Sequence, residues 1–446
     1  MPYQSGFQTN SRTELIALRA AEAANYLRIG SRKYFKDQLV GKRNGHVYSF
    51  VVKDTGVYQE GIDLTNGATD AYSGNVGKGA SKLQERSVKK QLKVGNVLIE
   101  TNMLNKVIDA DWDDEIAQPN GKKLINGVVR SAVDADLGLQ NTAFVGTGFQ
   151  PLFKGQNFLK SVTDSKIYGF TNPMVNSVLS SNGQSFDPAE SDNEFSNAGL
   201  MGKLADVEYR ANQFMPVVSV DAALIAKFDD LSKIEYVAGS ADTDDATIRL
   251  YGMDVALPKG FVFWIHGVYA CDLVGDKTSA LKAFIVAEDG KAAGTGAGQS
   301  GSASYSSITI RPIYFAGEGT KEVVKSNGTA FGADEAAART AFNTAFASAT
   351  KADLDLLPVG DYFGGFIRAD GAMEFESIGE LDASNADTKK ETVEGLTVIE
   401  NRAVDTLKGS NLTRWSTVTI SGIVDPRCVT YVLVRDAVIN QVRVNP

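Results

Sequence analysis

The sequence is poor in the residue types on which most enzymes build their chemistry. It has two histidines, His46 and His266, far apart in the chain, and two cysteines, Cys271 and Cys428, with 156 residues between them. Neither cysteine belongs to a CxxC, so no zinc knuckle or redox pair is supported. Both read as small core residues in a chain from a reducing compartment. No HExxH, GxSxG or HxH spacing occurs, so a zinc-water hydrolase or a hydrolase with a histidine base has no visible parts. Three tryptophans, Trp112, Trp264 and Trp415, are few for sugar-stacking subsites. A carboxylate pair of the glycosidase kind leaves no trace in sequence, because its partners are remote in the chain, and that alternative stays open. Long apolar runs are missing too. The most apolar stretch, 260–275, is too short to span a bilayer and contains His266 and Asp272. The start, MPYQSGFQTNSRTELI, lacks the charged lead and apolar run of a signal peptide. The expectation is a soluble protein that is not an enzyme, with no cofactor, no metal and no membrane, and no catalytic, cofactor-binding or metal-ligating residue to name.

What is present is ordinary in amount and uneven in arrangement. Of 446 residues, 43% are hydrophobic and 22% charged, a globular composition for two or three compact units. Net charge is −9, yet residues 1–106 carry 16 basic against 9 acidic residues and the rest 29 against 45. A +7 segment joined to a −16 remainder reads either as a basic segment that meets an acidic surface, copies of the same molecule included, or as a solvated N-terminal arm with a chance excess of charge. The basic residues are dispersed and lack an aromatic-basic motif, which argues against a nucleic-acid reader.

Along the chain, Ser11-Arg12-Thr13-Glu14 fits a capping box opening an alanine-rich helix to about Ile29. It begins a basic arm that ends near Gly41–Gly45. HVYSFVVKDTGVYQEG from His46 reads as a strand, and 62–81 is a polar tract with four glycines. Residues 87–104 then return as extended chain, with Val88, Lys90, Leu92 and Val94 on one face. Together they describe a protruding β-hairpin, which has too little core to stand alone and calls for a neighbour. Pro119-Asn120-Gly121 opens a helix with apolar residues every three to four positions to about Phe144, roughly seven turns. Mixed short elements follow to 235, including VEYRANQFMPVVSV. Residues 236–318 hold four strong strand signals (ATIRLYG, GFVFWIHGVYA, KAFIVAED and SSITIRPIYF) and a loop, 291–305, of small residues. This all-β block reads as an inserted small barrel. A helix at 333–350 carries Phe342 and Phe346 one turn apart. Strands then run to CVTYVLVRD, which reads as buried and central.

The remaining motifs weaken on inspection. Gly296-Ala297-Gly298-Gln299-Ser300-Gly301 matches GxGxxG, but a strand follows where the dinucleotide fingerprint needs a helix. Gly77-Lys78-Gly79 lacks the Walker spacing. Asp109, Asp111, Asp113, Asp114 and Glu115 lack the spacing of an EF-hand loop and fit a helix start instead. His266, in an alternating apolar strand, reads as a satisfied structural histidine.

The order of parts resembles the major capsid (coat) protein of a tailed double-stranded DNA bacteriophage with the Hong Kong 97-type fold. More narrowly, it is similar to the coat proteins of short-tailed Salmonella podoviruses, which carry an extra barrel called the insertion domain. The resemblance rests on GVYQEGIDLTNGATDAYSGNV (56–76), PNGKKLINGVVRSAVDADLGL (119–139), GLMGKLADVEYRANQFMPVV (199–218), the barrel strands, AMEFESIGEL and VTYVLVRDAVINQVRV. The stretches 290–305 and 380–412 have no counterpart. It implies an α+β fold: an N-terminal arm (1–45), an extended β-hairpin loop (46–106), a spine helix with peripheral domain and the start of an axial domain (107–235), an inserted β-barrel (236–320), then axial domain and return strands (321–446). It also implies an icosahedral shell of pentamers and hexamers. The partners would be a scaffolding protein, a portal protein, double-stranded DNA held non-specifically and in some cases a decoration protein. Its place would be the virion, after assembly in the host cytoplasm. Another self-assembling shell, a tail-tube component, or a glycan-binding or glycan-cleaving protein are the alternatives.

Overall fold

The computed structural model describes residues 5–32, 47–53, 85–91, 93–100, 116–181, 183–187, 200–238, 245–253, 255–289, 305–316, 321–377, 388–405 and 410–436. The tracts 62–81 and 109–115, Gly77–Gly79, Gly296–Gly301, His46, Trp112 and 437–446 lie outside the described residues.

Helix α1 runs Ser5–Ala23, and a single turn, α2, follows at Asn25–Arg28. The helix starts six residues before Ser11, so the capping box does not open it. No proline interrupts 5–11, and the Thr13 hydroxyl instead donates to the Glu400 carboxylate. From Thr13 onward the helix is packed into the core: Ile16, Ala17, Ala20, Ala21, Ala24 and Leu27 are all fully buried. Gly30, at φ +68° and hard against the Tyr168 ring, turns the chain into β1, Ser31–Arg32.

Strands β2 (Val47–Lys53) and β3 (Glu85–Gln91) pair as an antiparallel ribbon, Val47 opposite Gln91 and Lys53 opposite Glu85. Strand β4, Lys93–Glu100, belongs to a different sheet, so the extended stretch from 87 serves two structures. Helix α3 spans Gln118–Asp136 with Pro119 in its first turn, where a missing N–H costs nothing. It is about five turns long, two fewer than the periodicity implied. Gly138, at φ +96°, breaks the helix, and Phe144 lies in strand β5, Thr142–Gly146. Arg311 meets the helix end, its Nε donating to Leu137 O at 3.3 Å and Nη2 to Asp134 O at 2.8 Å. A cation there complements the negative end of the helix dipole. Next come α4 (Gln150–Val162), β6 (Ile167–Thr171), α5 (Met174–Ser181), β7 (Leu200–Leu204), β8 (Val207–Ala211) and β9 (Val217–Val220).

The four expected strands of the β block are present. They are β11 (Ala246–Tyr251), β12 (Val262–Cys271), β13 (Lys277–Ile285) and β14 (Tyr305–Ile310), preceded by β10 (Lys233–Val237). They form two sheets, β10-β11-β14 and one built on β12 and β13, and no ladder joins the two among the described residues. The second sheet also takes β15 (Val323–Lys325) and β16 (Leu354–Leu356). Between these lies helix α6, Glu335–Ala345. Its Phe342 is fully buried among the rings of Tyr236, Phe284, Phe315, Phe331 and Phe346. The core of the block therefore draws on residues past 320.

The C-terminal strands close what the first half began. Strands β17 (Gly360–Ala369), β18 (Met373–Ser377), β19 (Thr388–Val393), β20 (Leu396–Asp405), β21 (Ser410–Ile423) and β22 (Val429–Arg435) split between two sheets. One has the order β5-β22-β17-β6-β8-β7 with β9 beside β17. In it β22 is interior, parallel to β5 and antiparallel to β17, and Val429–Val434 are fully buried. The other has the order β1-β18-β21-β20-β19, with β4 along the opposite edge of β21. Helices α1 and α3 share one face of this sheet, where Gly95 lies against the backbone of α3: a Cβ there would stand 1.9 Å from Leu124 O. The architecture is α+β.

Candidate assembly surfaces

The chemistry-bearing residues are dispersed or used for structure. His266 stands on the outer face of β12, its Nε2 3.0 Å from Asp355 Oδ1, with both side chains about half exposed. It is a satisfied surface pair and not a core histidine. Cys271 and Cys428 are free, buried thiols, and burial pushes each up to about 12, far from the thiolate needed for nucleophilic or ligand chemistry. No group of three or more His, Cys, Asp or Glu is placed to hold a metal ion among the described residues.

The buried charges join elements to one another. Lys282 of β13 and Glu322 form a 3.2 Å ion pair, each side chain 2% exposed, and Lys282 also reaches Gln140 O at 3.3 Å. Beside it Asn141 donates to Cys271 O at 2.8 Å and Thr142 to Leu281 O at 2.7 Å, so the β block is stitched to the entry of β5. On the far side of α3, fully buried Arg368 donates to Tyr26 O and Ile29 O, both at 2.6 Å. Its guanidinium lies over the rings of Tyr26 and Phe170 at 5.0 and 4.6 Å. Burial pulls this guanidinium below its ordinary range, while nearby Tyr26 and Asp136 oppose the shift. Burial likewise raises the Tyr26 phenol well above its usual value, and it donates to Asp136 Oδ2 at 2.7 Å. The other oxygen of Asp136 accepts from Ile423 N at 3.0 Å. One knot thus ties α2, α3, β17 and β21. Its members were not singled out in sequence, because nothing in a lone arginine or aspartate marks it as buried.

The surface has another character. Val94 and Leu98 of β4 are 52% and 61% exposed. Being four residues apart on a strand they share a face, and it is opposite to the face on which Gly95 meets α3. Exposed Arg414 lies directly across from Leu98. The ribbon β2–β3 pairs only with itself among the described residues. At the end of the other sheet, Val217 of β9 and nearby Val359 are also exposed. The expected common face of Val88, Lys90, Leu92 and Val94 is divided between two sheets, Val88 and Lys90 lying in β3 and Val94 in β4, with Leu92 outside the described residues. That β4 leaves the ribbon to join another sheet was not legible, because no turn signal separates Gln91 from Lys93.

No protein-family model and no curated protein matches this chain. Its structure is similar to solved phage structures. One titled Mycobacterium phage Che8 aligns over 91% of this chain and 89% of its own, at 11% identity and a TM-score of 0.34. The capsid of Ralstonia phage GP4 aligns over 91% and 87%, at 6% identity and a TM-score of 0.40. The capsid of the cyanophage P-SCSP1u aligns over 91% and 90%, at 9% identity and a TM-score of 0.34.

Proposed function

We propose that this chain is the major capsid protein of a tailed double-stranded DNA bacteriophage, with the Hong Kong 97-type fold. The observation that carries the reading is a two-stranded ribbon that pairs only with itself among the described residues, followed by the outward Val94 and Leu98 of the next strand. A lone ribbon is marginal in water, and aliphatic side chains more than half exposed in a row mark a contact surface rather than a finished one. A second copy is the partner that every copy has to hand. The order of elements supports the same reading: N-terminal helix, ribbon, long helix, α/β sheet, β block and a closing central strand. So does the +7/−16 division of charge, which orients like molecules head to tail.

In this reading copies associate as pentamers and hexamers of an icosahedral shell. A scaffolding protein guides assembly, a portal admits the DNA, and a decoration protein is an optional addition. The site of action is the virion, after assembly in the host cytoplasm, and the role is structural rather than catalytic. Negative-stain electron microscopy of the chain co-expressed with its scaffolding protein tests it. Closed particles of uniform diameter are expected. Open tubes or stacked rings would favour a tail component, and a monodisperse monomer under every condition would overturn the proposal.

A further inference from the structure

Two edges of the molecule carry exposed aliphatic side chains beside a charge, and the two charges are opposite in sign. On the outward face of β4, Val94 and Leu98 are 52% and 61% exposed, with exposed Asn96 between them. Arg414 of β21 stands directly across from Leu98 and is itself exposed. At the end of the other large sheet, β9 alternates in the same way. Val217, 53% exposed, and Ser219 face outward, while Val218 and Val220 are buried. Asp361 of β17 stands directly across from Ser219. Val359, 39% exposed, leads into Gly360, which pairs with Val220, and exposed Asp221 follows Val220.

The two patches match in size and in chemistry. In each, two aliphatic groups are set apart by three or four residues of strand, roughly 10–13 Å, with a small polar side chain between them. Neither Arg414 nor Asp361 makes an ion pair among the described residues. Arg435 lies across from Tyr362, on the other face of β17, and donates instead to Val359 O at 2.6 Å. The patches lie on different sheets and are exposed in the same subunit, so the molecule does not cover one with the other.

We infer that the Val94–Leu98–Arg414 patch of one copy docks on the Val217–Val359–Asp361 patch of a second copy. The inference rests on the reading of the chain as a self-assembling shell subunit, and it names the two surfaces that meet. Burial of the aliphatic groups supplies the attraction. Arg414 against Asp361 sets the orientation, and the pair strengthens as the apolar groups around it exclude water. Pairing of either patch with its own copy sets like charges together, which disfavours it. Because the two patches differ, the contact is heterologous: each copy offers one patch to the neighbour on one side and the other patch to the neighbour on the other. Such contacts generate rings when the rotation closes. A contact of so few residues falls short of the roughly 1,200 Å² of a stable complex, so single contacts dissociate and repeated ones hold.

Charge reversal in the full-length chain tests the contact. Arg414→Asp and Asp361→Arg are each expected to weaken self-association about tenfold or more at low ionic strength, measured by sedimentation velocity. Both changes in one chain restore an opposite pair at every contact, so association recovers to within about threefold of the wild type. Single reversals that associate like the wild type, or a double variant as weak as the singles, overturn the inference, as does a wild-type chain that stays monomeric throughout. Should a reversal unfold its subunit, the aliphatic groups decide. Val94→Ser with Leu98→Ser weakens association, Val217→Ser with Val359→Ser does the same, and all four together weaken it no further than either pair. Additive losses place the patches in separate interfaces and overturn the inference. Electron microscopy separates this contact from the capsid reading. Closed shells formed normally by the single reversals sink the contact alone, whereas rescue of the double variant into open tubes keeps the contact and sinks the capsid reading.

Discussion

Single residues fix how closely the elements approach. Gly95 has the Leu124 carbonyl where a Cβ would be, and backbone on both sides cannot retreat as a side chain could. Gly95→Ala is expected to lower stability by about 3 kcal/mol, the upper range for overpacking, read as a lower urea midpoint. The Lys282–Glu322 pair behaves differently. Removing one partner strands a buried charge, so Glu322→Gln costs roughly 3–5 kcal/mol, whereas Lys282→Met with Glu322→Leu together costs far less. A double-mutant cycle in urea would detect this, and an equal loss in single and double variants would contradict it. The two buried thiols give a pH dependence of known sign. Their folded values near 12 exceed the ordinary 9.0, so the stabilisation is complete below about pH 9 and is lost as pH rises toward 12. Thermal melts under reducing conditions should fall across that window, and Cys271→Ala with Cys428→Ala should flatten the decline.

At the scale of elements, the sequence was most informative where pattern and burial agree. Strands β11, β12, β13, β14 and β22 were visible as runs of β-branched and aromatic residues, and α3 as a periodic stripe. The errors came where local preference met tertiary contact. The serine–glutamate box is a weak local signal and did not stop α1 from extending upstream. The apolar run past Asp136 keeps helical spacing, yet Gly138 turns left-handed and Arg311, 174 residues away from Leu137, takes over the exposed carbonyls. The basic N-terminal segment was expected as an arm, but its described part from Thr13 to Ser31 is packed inward, held by Arg368 and Asp136. Those contacts link positions some 340 and 110 residues apart and leave no local mark. Truncation through Gly30 is therefore expected to produce an insoluble or largely unfolded chain, measured by circular dichroism and protease resistance. By contrast, Val94→Ser with Leu98→Ser should leave the melting temperature within a few degrees and sharply reduce particle yield. Deletion of residues 54–81 should likewise give a folded subunit that assembles poorly.

For the whole molecule, the division of charge is the property most accessible to experiment. Surface attraction between a basic and an acidic part is screened over about 8–10 Å at physiological salt. Self-association should thus be fastest at low ionic strength and fall steadily as sodium chloride is raised, and salt-independent kinetics would leave apolar contact as its sole driver. The candidate surfaces were legible only in outline: the sequence shows an unsupported ribbon and an uneven charge, while which valine or leucine faces outward depends on the partner strand. The Arg311 contact has a mechanical consequence. Arg311 follows directly on β14 of the β block, and its guanidinium grips the last turn of α3, so the block cannot swivel independently of that helix. Any tilt of α3 within an assembly would sweep the block through a larger arc, with Leu137 and Gly138 as the fulcrum.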